Sequence, residues 1–187
     1  MYLFIGLGNT GEKFKSTRHN IGRETLLAAQ KKFGFPLFLL DVKLSALVTE
    51  GKRGKGRTAF ILPETFVNKS GATALPALSR FKGKTKDVIL VHDDVDMLLG
   101  KTKLSFGRNS GGHKGVESVM RALKTKDFWR MRIGVQKKRR VPGEDLVLQK
   151  FRGEEEALAK KVIRKNLEAI EEILIHDPEH AMNAYNQ

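Results

Sequence analysis

The residues able to do chemistry in this chain sit where apolar runs end. Gly6 to Gly22, GLGNTGEKFKSTRHNIG, follow a short apolar stretch and deliver Asn9 and His19 from one glycine-studded loop. His92, Asp93 and Asp94 close the run from Val88 to Val91, Asn68 lies in PETFVNKSG, and His113 and Lys114 lie in GGHKG. A histidine with a near-neutral pKa is the side chain best suited to take a proton from water, which makes His19 the candidate general base. A carboxylate on its other ring nitrogen fixes the tautomer and stabilises the imidazolium, a role that suits Asp93. The carboxamides of Asn9 and Asn68 can donate hydrogen bonds to a substrate or to a developing oxyanion. The chain has no cysteine, and its histidines show no metal-ligand pattern. Direct attack by water is therefore simpler than a covalent or metal route, and no metal or cofactor is expected. Taken singly, each residue also fits a plainer role: Asp93 could cap a turn, Asn68 a helix, and His113 could be structural. His92 should point to the opposite pleat from Asp93 and is read as structural.

The same loop spells G-x-G-x-x-G with Gly6, Gly8 and Gly11, a phosphate-loop signature when it follows a strand. That signature needs a helix opening at the third glycine and an acidic residue about 20 positions on. Here Gly11 is followed by the polar, aperiodic EKFKSTRHN, and the first acid ending an apolar run is Asp41. Neither requirement is well met.

Those residues must be held by a fold, and 187 residues suffice for one domain with a sizeable core. Lys and Arg number 35 against 21 Asp and Glu, a formal charge of +14 that favours a polyanionic partner, nucleic acid before membrane. A solvated basic surface is the plainer reading of the same charge. The start, MYLFIGLGNTG, lacks a basic n-region and a long apolar core, and no run is apolar enough to span a bilayer, so a cytoplasmic protein is expected.

Leu3 to Leu7 read as a buried strand, followed by a helix carrying Leu26, Ala29 and Phe33. Leu37 to Leu40, Leu44 to Val48 and Thr58 to Leu62 are short β-type runs, the last two joined by the basic hairpin GKRGKGR. Asn68 can cap a helix carrying Ala74, Leu78 and Phe81, with Pro76 kinking it or delaying its start. Val88 to Val91 read as a central strand and Lys101 to Phe106 as another. Val116, Val119, Met120 and Leu123 mark a helix opening at GGHKG, whose free N–H groups would suit an anion. Met131, Ile133 and Val135 alternate as a strand. Glu154 to Glu156 begin a helix whose stripe is Leu158, Val162, Ile163, Ile170 and Leu174. Strands alternating with helices imply an α/β fold.

In combination, GLGNTG, TRHNIG, PETFVNKSG, VHDDVD, GGHKG, RMRIGV, VLQKF and NAYN make the chain resemble the bacterial peptidyl-tRNA hydrolase family along nearly its whole length. Their order and spacing are far more specific than any one string. The resemblance implies a single α/β domain over residues 1–187, with a mixed, twisted sheet flanked by helices on both faces. It implies hydrolysis of the ester between peptide and tRNA during translation, with no cofactor, by a cytoplasmic monomer that meets peptidyl-tRNA and no membrane. Carried over by motif, His19, Asp93 and Asn9 are catalytic, and Phe14, Phe66, Val67, Asn68, His113 and Lys114 face the substrate. Arg132 matches an arginine that holds a tRNA phosphate. The lysine that accompanies it in the family is replaced by Ser105, for which Lys101 or Lys103 could substitute. Other departures are Lys114 for an asparagine, Thr10 for a proline, Phe14 for a tyrosine, Val67 for a methionine and Gln149 for a glycine. Lys114 leaves one rival function open, a hydrolase-like RNA-binding protein with altered or lost catalysis.

Overall fold

The computed structural model describes residues 1–54 and 56–186. In chain order the elements are β1 (Tyr2–Gly6), α1 (Ile21–Phe33), β2 (Leu39–Asp41), β3 (Ala46–Arg53), β4 (Gly56–Pro63), α2 (Gly71–Arg80), β5 (Val88–Leu98), β6 (Thr102–Phe106), α3 (Lys114–Leu123), β7 (Trp129–Gln136), α4 (Gly143–Val147), α5 (Glu154–Ile175) and α6 (Pro178–Tyr185). One seven-stranded sheet runs in the order β2-β3-β4-β1-β5-β7-β6. Its four central strands are parallel, while β2 and β3 at one edge and β6 at the other are antiparallel. Lys55, at the tip of the predicted basic hairpin, lies outside the described residues.

Alternation along the strands builds two cores. Phe4, Phe60, Leu62, Ile89, Val91, Met131, Ile133 and Val135 face α1, α5 and α6. Leu3, Ile5, Ala59, Ile61, Val88 and Leu90 face α2 and α3. Residues of opposite parity in β6 and β7 are Lys103, Ser105, Arg130 and Arg132, and the α2/α3 core does not extend over them. That bare, basic stretch of sheet becomes the floor of a cleft. β4 and β5 flank β1 on opposite sides, so the chain reverses its winding there, and a crevice opens beyond the carboxyl ends of these strands.

The expected elements are present with shifted ends, and α4 and α6 are additions. Asn68 does not cap α2: it lies in a 3-10 turn, Val67–Lys69, and Ser70 occupies the N-cap position. Pro76 sits inside α2 rather than delaying its start. The glycine-loop pattern also resolves. Only a 3-10 turn, Glu12–Phe14, opens at Gly11; α1 begins at Ile21, after a second 3-10 turn, Arg18–Asn20, that carries His19. A Cβ on Gly8 would lie 2.7 Å from Asn20 Oδ1, so the glycine makes room for a protein side chain rather than for a pyrophosphate.

Gly22 sets how closely α1 can approach the sheet. A Cβ there would fall 2.1 Å from the carbonyl oxygen of Val91, a backbone atom that cannot step aside. Gly22→Ala is therefore expected to lower the unfolding free energy by about 2 kcal/mol or more, overriding the roughly 1 kcal/mol that alanine gains as a helix former. Urea denaturation that shows equal or greater stability would disprove this close packing.

Candidate active site

The site is assembled around one buried carboxylate. Asp93, near the end of the buried half of β5, is 1% exposed, and its Oδ1 meets His19 Nδ1 at 2.7 Å and His113 Nε2 at 3.0 Å. His113 is the N-cap of α3, where its Nδ1 accepts from the N–H groups of Gly115 and Val116. The free amides expected to attract an anion are thus already bonded to the preceding side chain. Because Nδ1 accepts, the His113 proton sits on Nε2 and is donated to Asp93. The His19 ring, whose side chain is 12% exposed, bonds Asp93 through Nδ1, which leaves Nε2 for the cleft it lines.

Electrostatics sharpens that division. Burial pulls the His19 pKa down, but the charge of Asp93 and the hydrogen bond to it outweigh burial, so the net shift is upward from 6.5. Burial works the other way on Asp93, yet His19 and His113 hold its carboxyl well below the usual carboxylate range. His92, expected to point away from Asp93, lines the same cleft, and its ring packs edge-on against His113 with centroids 4.8 Å apart. Its Nδ1 donates to the backbone oxygen of Asp93, and burial followed by the charge of His113 pushes its pKa down to about 3. His92 therefore stays neutral while His19 can cycle.

Asn9 is held from two sides. Its N–H donates to Asn20 Oδ1 and its carbonyl accepts from Asn20 Nδ2, at 2.8 and 2.9 Å. Its side-chain Oδ1 accepts from the N–H of Val67 at 2.9 Å, so its NH2 is the end left to donate into the cleft. Val67 is buried, packs beside Gly115 at the start of α3, and is followed by Asn68 on the cleft wall. Phe66 is exposed on the rim. Phe14 does not line the cleft, and instead meets the Phe66 ring edge-on at 6.4 Å. Thr10 gains a bond that proline could not make, from its hydroxyl to Glu64 at 2.8 Å.

The cleft encloses about 1120 Å³ and runs from His19 and Asn9 across the bare sheet to Lys103, Arg108, Arg130 and Arg132. Lys103 and Arg132 are direct cross-strand partners. Arg132 Nε is already bonded to Asp94 at 2.7 Å. Arg130 is 1% exposed, donates from Nη1 to the carbonyl of Asn109, and has its pKa lowered to about 10 by burial and by the charges of Arg132 and Arg108. Lys114, the first residue of α3, forms a 3.5 Å ion pair with Glu144 on α4 across the cleft mouth. Gln149 does not loosen its loop: it bonds the Asp145 carbonyl and Lys137, and its own carbonyl accepts from the N–H of Arg18.

Several supporting residues escape sequence reading. Asn20 is signalled only by adjacency to His19. Arg18 is fully buried, paired at 2.5 Å with Glu155 and bonded to the Val135 carbonyl, and nothing local marks partners more than 100 positions away. Two groups of histidines also converge unannounced, His19 with His113 around Asp93, and His176 with His180 beside Glu172. In the first group the bonds to Asp93 and to the α3 amides commit the facing nitrogens, and an ion could enter only by breaking them.

A carboxylate-oriented histidine beside amide donors in an open basic cleft is the arrangement of a general-base hydrolase for an anionic substrate. The chain belongs to the peptidyl-tRNA hydrolase family, whose profile matches residues 3–187. It is 35% identical over 189 residues to the peptidyl-tRNA hydrolase of Thermoanaerobacter sp. (strain X514), covering 100% of both chains. It is 34% identical to that of Mycoplasmopsis synoviae (strain 53), covering 100% of this chain and 97% of the relative. Among solved structures, the peptidyl-tRNA hydrolase of Acinetobacter baumannii superposes with a TM-score of 0.90 at 28% identity, over 100% of this chain and 94% of that one.

Nitrogen NMR of the ring atoms checks the electrostatic ordering. His19 should titrate above 6.5, whereas His92 should keep a neutral, Nδ1-protonated ring until pH falls to about 3. Replacing Asp93 with Asn should lower the His19 midpoint by removing the charge that raises it. A His19 midpoint unmoved by that change would exclude the coupling.

Proposed function

We propose that this chain hydrolyses the ester linking a peptide to the terminal ribose of tRNA, with His19 as general base. The observation that carries this reading is the 2.7 Å bond from His19 Nδ1 to Asp93, on a ring lining the cleft beside Asn9 and Asn68. His19 Nε2 takes a proton from water as the oxygen attacks the ester carbonyl. Asp93 holds the tautomer and stabilises the imidazolium that forms. The NH2 of Asn9 donates to the developing oxyanion, and Asn68 and Val67 position the ester, with Phe66 flanking it on the rim and Phe14 bracing Phe66. The imidazolium then returns its proton to the departing ribose oxygen, so tRNA leaves as an alcohol and the peptide as an acid. No cofactor enters this scheme.

Lys103 and Arg132 are assigned to tRNA phosphates, supported by their pairing on the bare sheet and by the net charge of +14. No helix among the described residues is long and apolar enough to cross a membrane, and a substrate drawn from translation supports a cytoplasmic site of action.

Lys114 fits an active enzyme. Its ion pair with Glu144 is exposed on both sides, the kind of contact that contributes little and exchanges readily for a substrate oxygen.

The decisive assay is peptide release from peptidyl-tRNA by purified protein. His19→Ala should slow the chemical step roughly 100-fold or more with tRNA binding retained. Since only neutral imidazole accepts a proton, and the His19 pKa is raised, kcat/KM should fall on the acid side with a midpoint above 6.5. Near-native turnover in His19→Ala would refute the mechanism.

Lys114→Asn should keep catalysis within about tenfold, because an amide can replace one hydrogen bond. Wild type without activity, together with hydrolysis gained by Lys114→Asn, would instead make this chain a non-catalytic RNA binder.

A further inference from the structure

Away from the cleft, where α5 ends and α6 begins, three donor atoms from two helices converge. Glu172, His176 and His180 are spaced four residues apart, which on an unbroken helix would set them along one stripe. The helix does break, between them, and the break is locked. His176 leaves helical geometry at φ −107°, ψ −94°, Asp177 accepts the N–H of His180 at 2.8 Å, and Pro178 opens α6. Across this corner His176 Nε2 lies 3.7 Å and His180 Nε2 3.5 Å from the same oxygen, Glu172 Oε2. The two imidazole rings face each other with centroids 4.3 Å apart and planes inclined by 31°.

We propose that Glu172, His176 and His180 form a binding site for a divalent transition-metal ion of the zinc type. Such an ion sits about 2.0–2.2 Å from imidazole nitrogen and carboxylate oxygen, so tetrahedral donors lie about 3.3 Å apart. The observed separations exceed that by a few tenths of an ångström, within reach of small rotations of three side chains that are 34–54% exposed. Two imidazoles and one carboxylate select zinc and its later first-row neighbours over calcium or magnesium, which prefer all-oxygen sites. Water completes the coordination from the solvent side. None of the three residues lines the cleft, so the ion serves no step of hydrolysis. It ties the end of α5 to the first turn of α6, the helix whose following residue, Asn186, clamps the backbone of Leu104 in β6 through both its amide atoms.

Calorimetric titration of the full chain with zinc chloride tests this. Saturable binding of a single ion and a zinc-dependent rise in Tm are expected, both abolished in the His176→Ala/His180→Ala double variant. Glu172→Gln should weaken binding at least about tenfold, since even outer-shell changes cost 10–100-fold. The copper-loaded protein should show two nitrogen ligands by electron paramagnetic resonance, and His19→Ala should bind zinc as wild type does. Zinc binding unchanged in the double variant but lost in His19→Ala would move the ion to the Asp93 cluster and overturn the proposal. Absence of saturable binding to the wild type would overturn it as well.

Discussion

Burying the Asp93 carboxylate is the constraint on which the site depends. Removing a carboxylate from water costs several kcal/mol unless charge and hydrogen bonds replace the lost hydration. Here both replacements arrive at one oxygen, from His19 on the turn before α1 and from His113 at the start of α3, while Oδ2 has no partner among the described residues. Three segments far apart in sequence are thus held at one point. The two imidazoles are not equivalent. His113 has its Nδ1 engaged by the amides of α3 and so meets Asp93 through Nε2, whereas His19 meets it through Nδ1. His19 answers the negative charge with a proton, which is the physical origin of its raised pKa.

Holding His19 against Asp93 makes demands on the backbone that other residues meet. The 3-10 turn carrying His19 must lie against the ends of β1 and β5. Gly22 permits that approach, and Asn20 ties the turn to Asn9 by two bonds to its backbone. On the far side Arg18 is drawn into the core by Glu155 and the Val135 carbonyl, with its guanidinium over the Phe151 ring. His19 is therefore pinned between the sheet and the start of α5. Asn9 gains its orientation from the same network, because the Val67 amide decides which end of its side chain can donate.

Much of this was legible in the sequence where local pattern and local structure coincide. The alternation of Met131, Ile133 and Val135 marked β7, whose interleaved Arg130 and Arg132 the structure sets on the cleft floor. The apolar run ending in His92 and Asp93 located the buried half of a central strand, though that strand continues to Leu98, and the motif strings placed His19, Asp93, Asn9 and Asn68 in one family site. What stayed hidden depends on partners remote in sequence. A histidine as the cap of α3 cancels the anion site that a bare helix start suggests. Asn68 looks like a cap because asparagine favours helix starts, yet a 3-10 turn sets it on the cleft wall instead. The corner between α5 and α6, and the convergence of His176 and His180 on Glu172, follow from a break in helical geometry at His176 and Asp177 that the apolar stripe of α5 does not signal.

The charge of the cleft is more balanced than the net charge of the chain. Arg132 is bonded to Asp94, and Lys114 to Glu144. A phosphate or carbonyl that reaches either cation must replace a carboxylate already there, so the affinity gained is a difference between two contacts rather than the full strength of one. Arg132, two-thirds buried, keeps its aim because Asp94 holds its Nε, while the exposed pair at Lys114 trades partners at small cost. Such an arrangement spends the +14 surplus on drawing a polyanion toward the cleft, where long-range attraction sets the rate of encounter. It also keeps the resting cations ordered in a cleft that is otherwise open to water. In the proposed reaction, selectivity then falls to the short-range contacts around Asn9, Asn68 and Val67, which line the cleft beside His19.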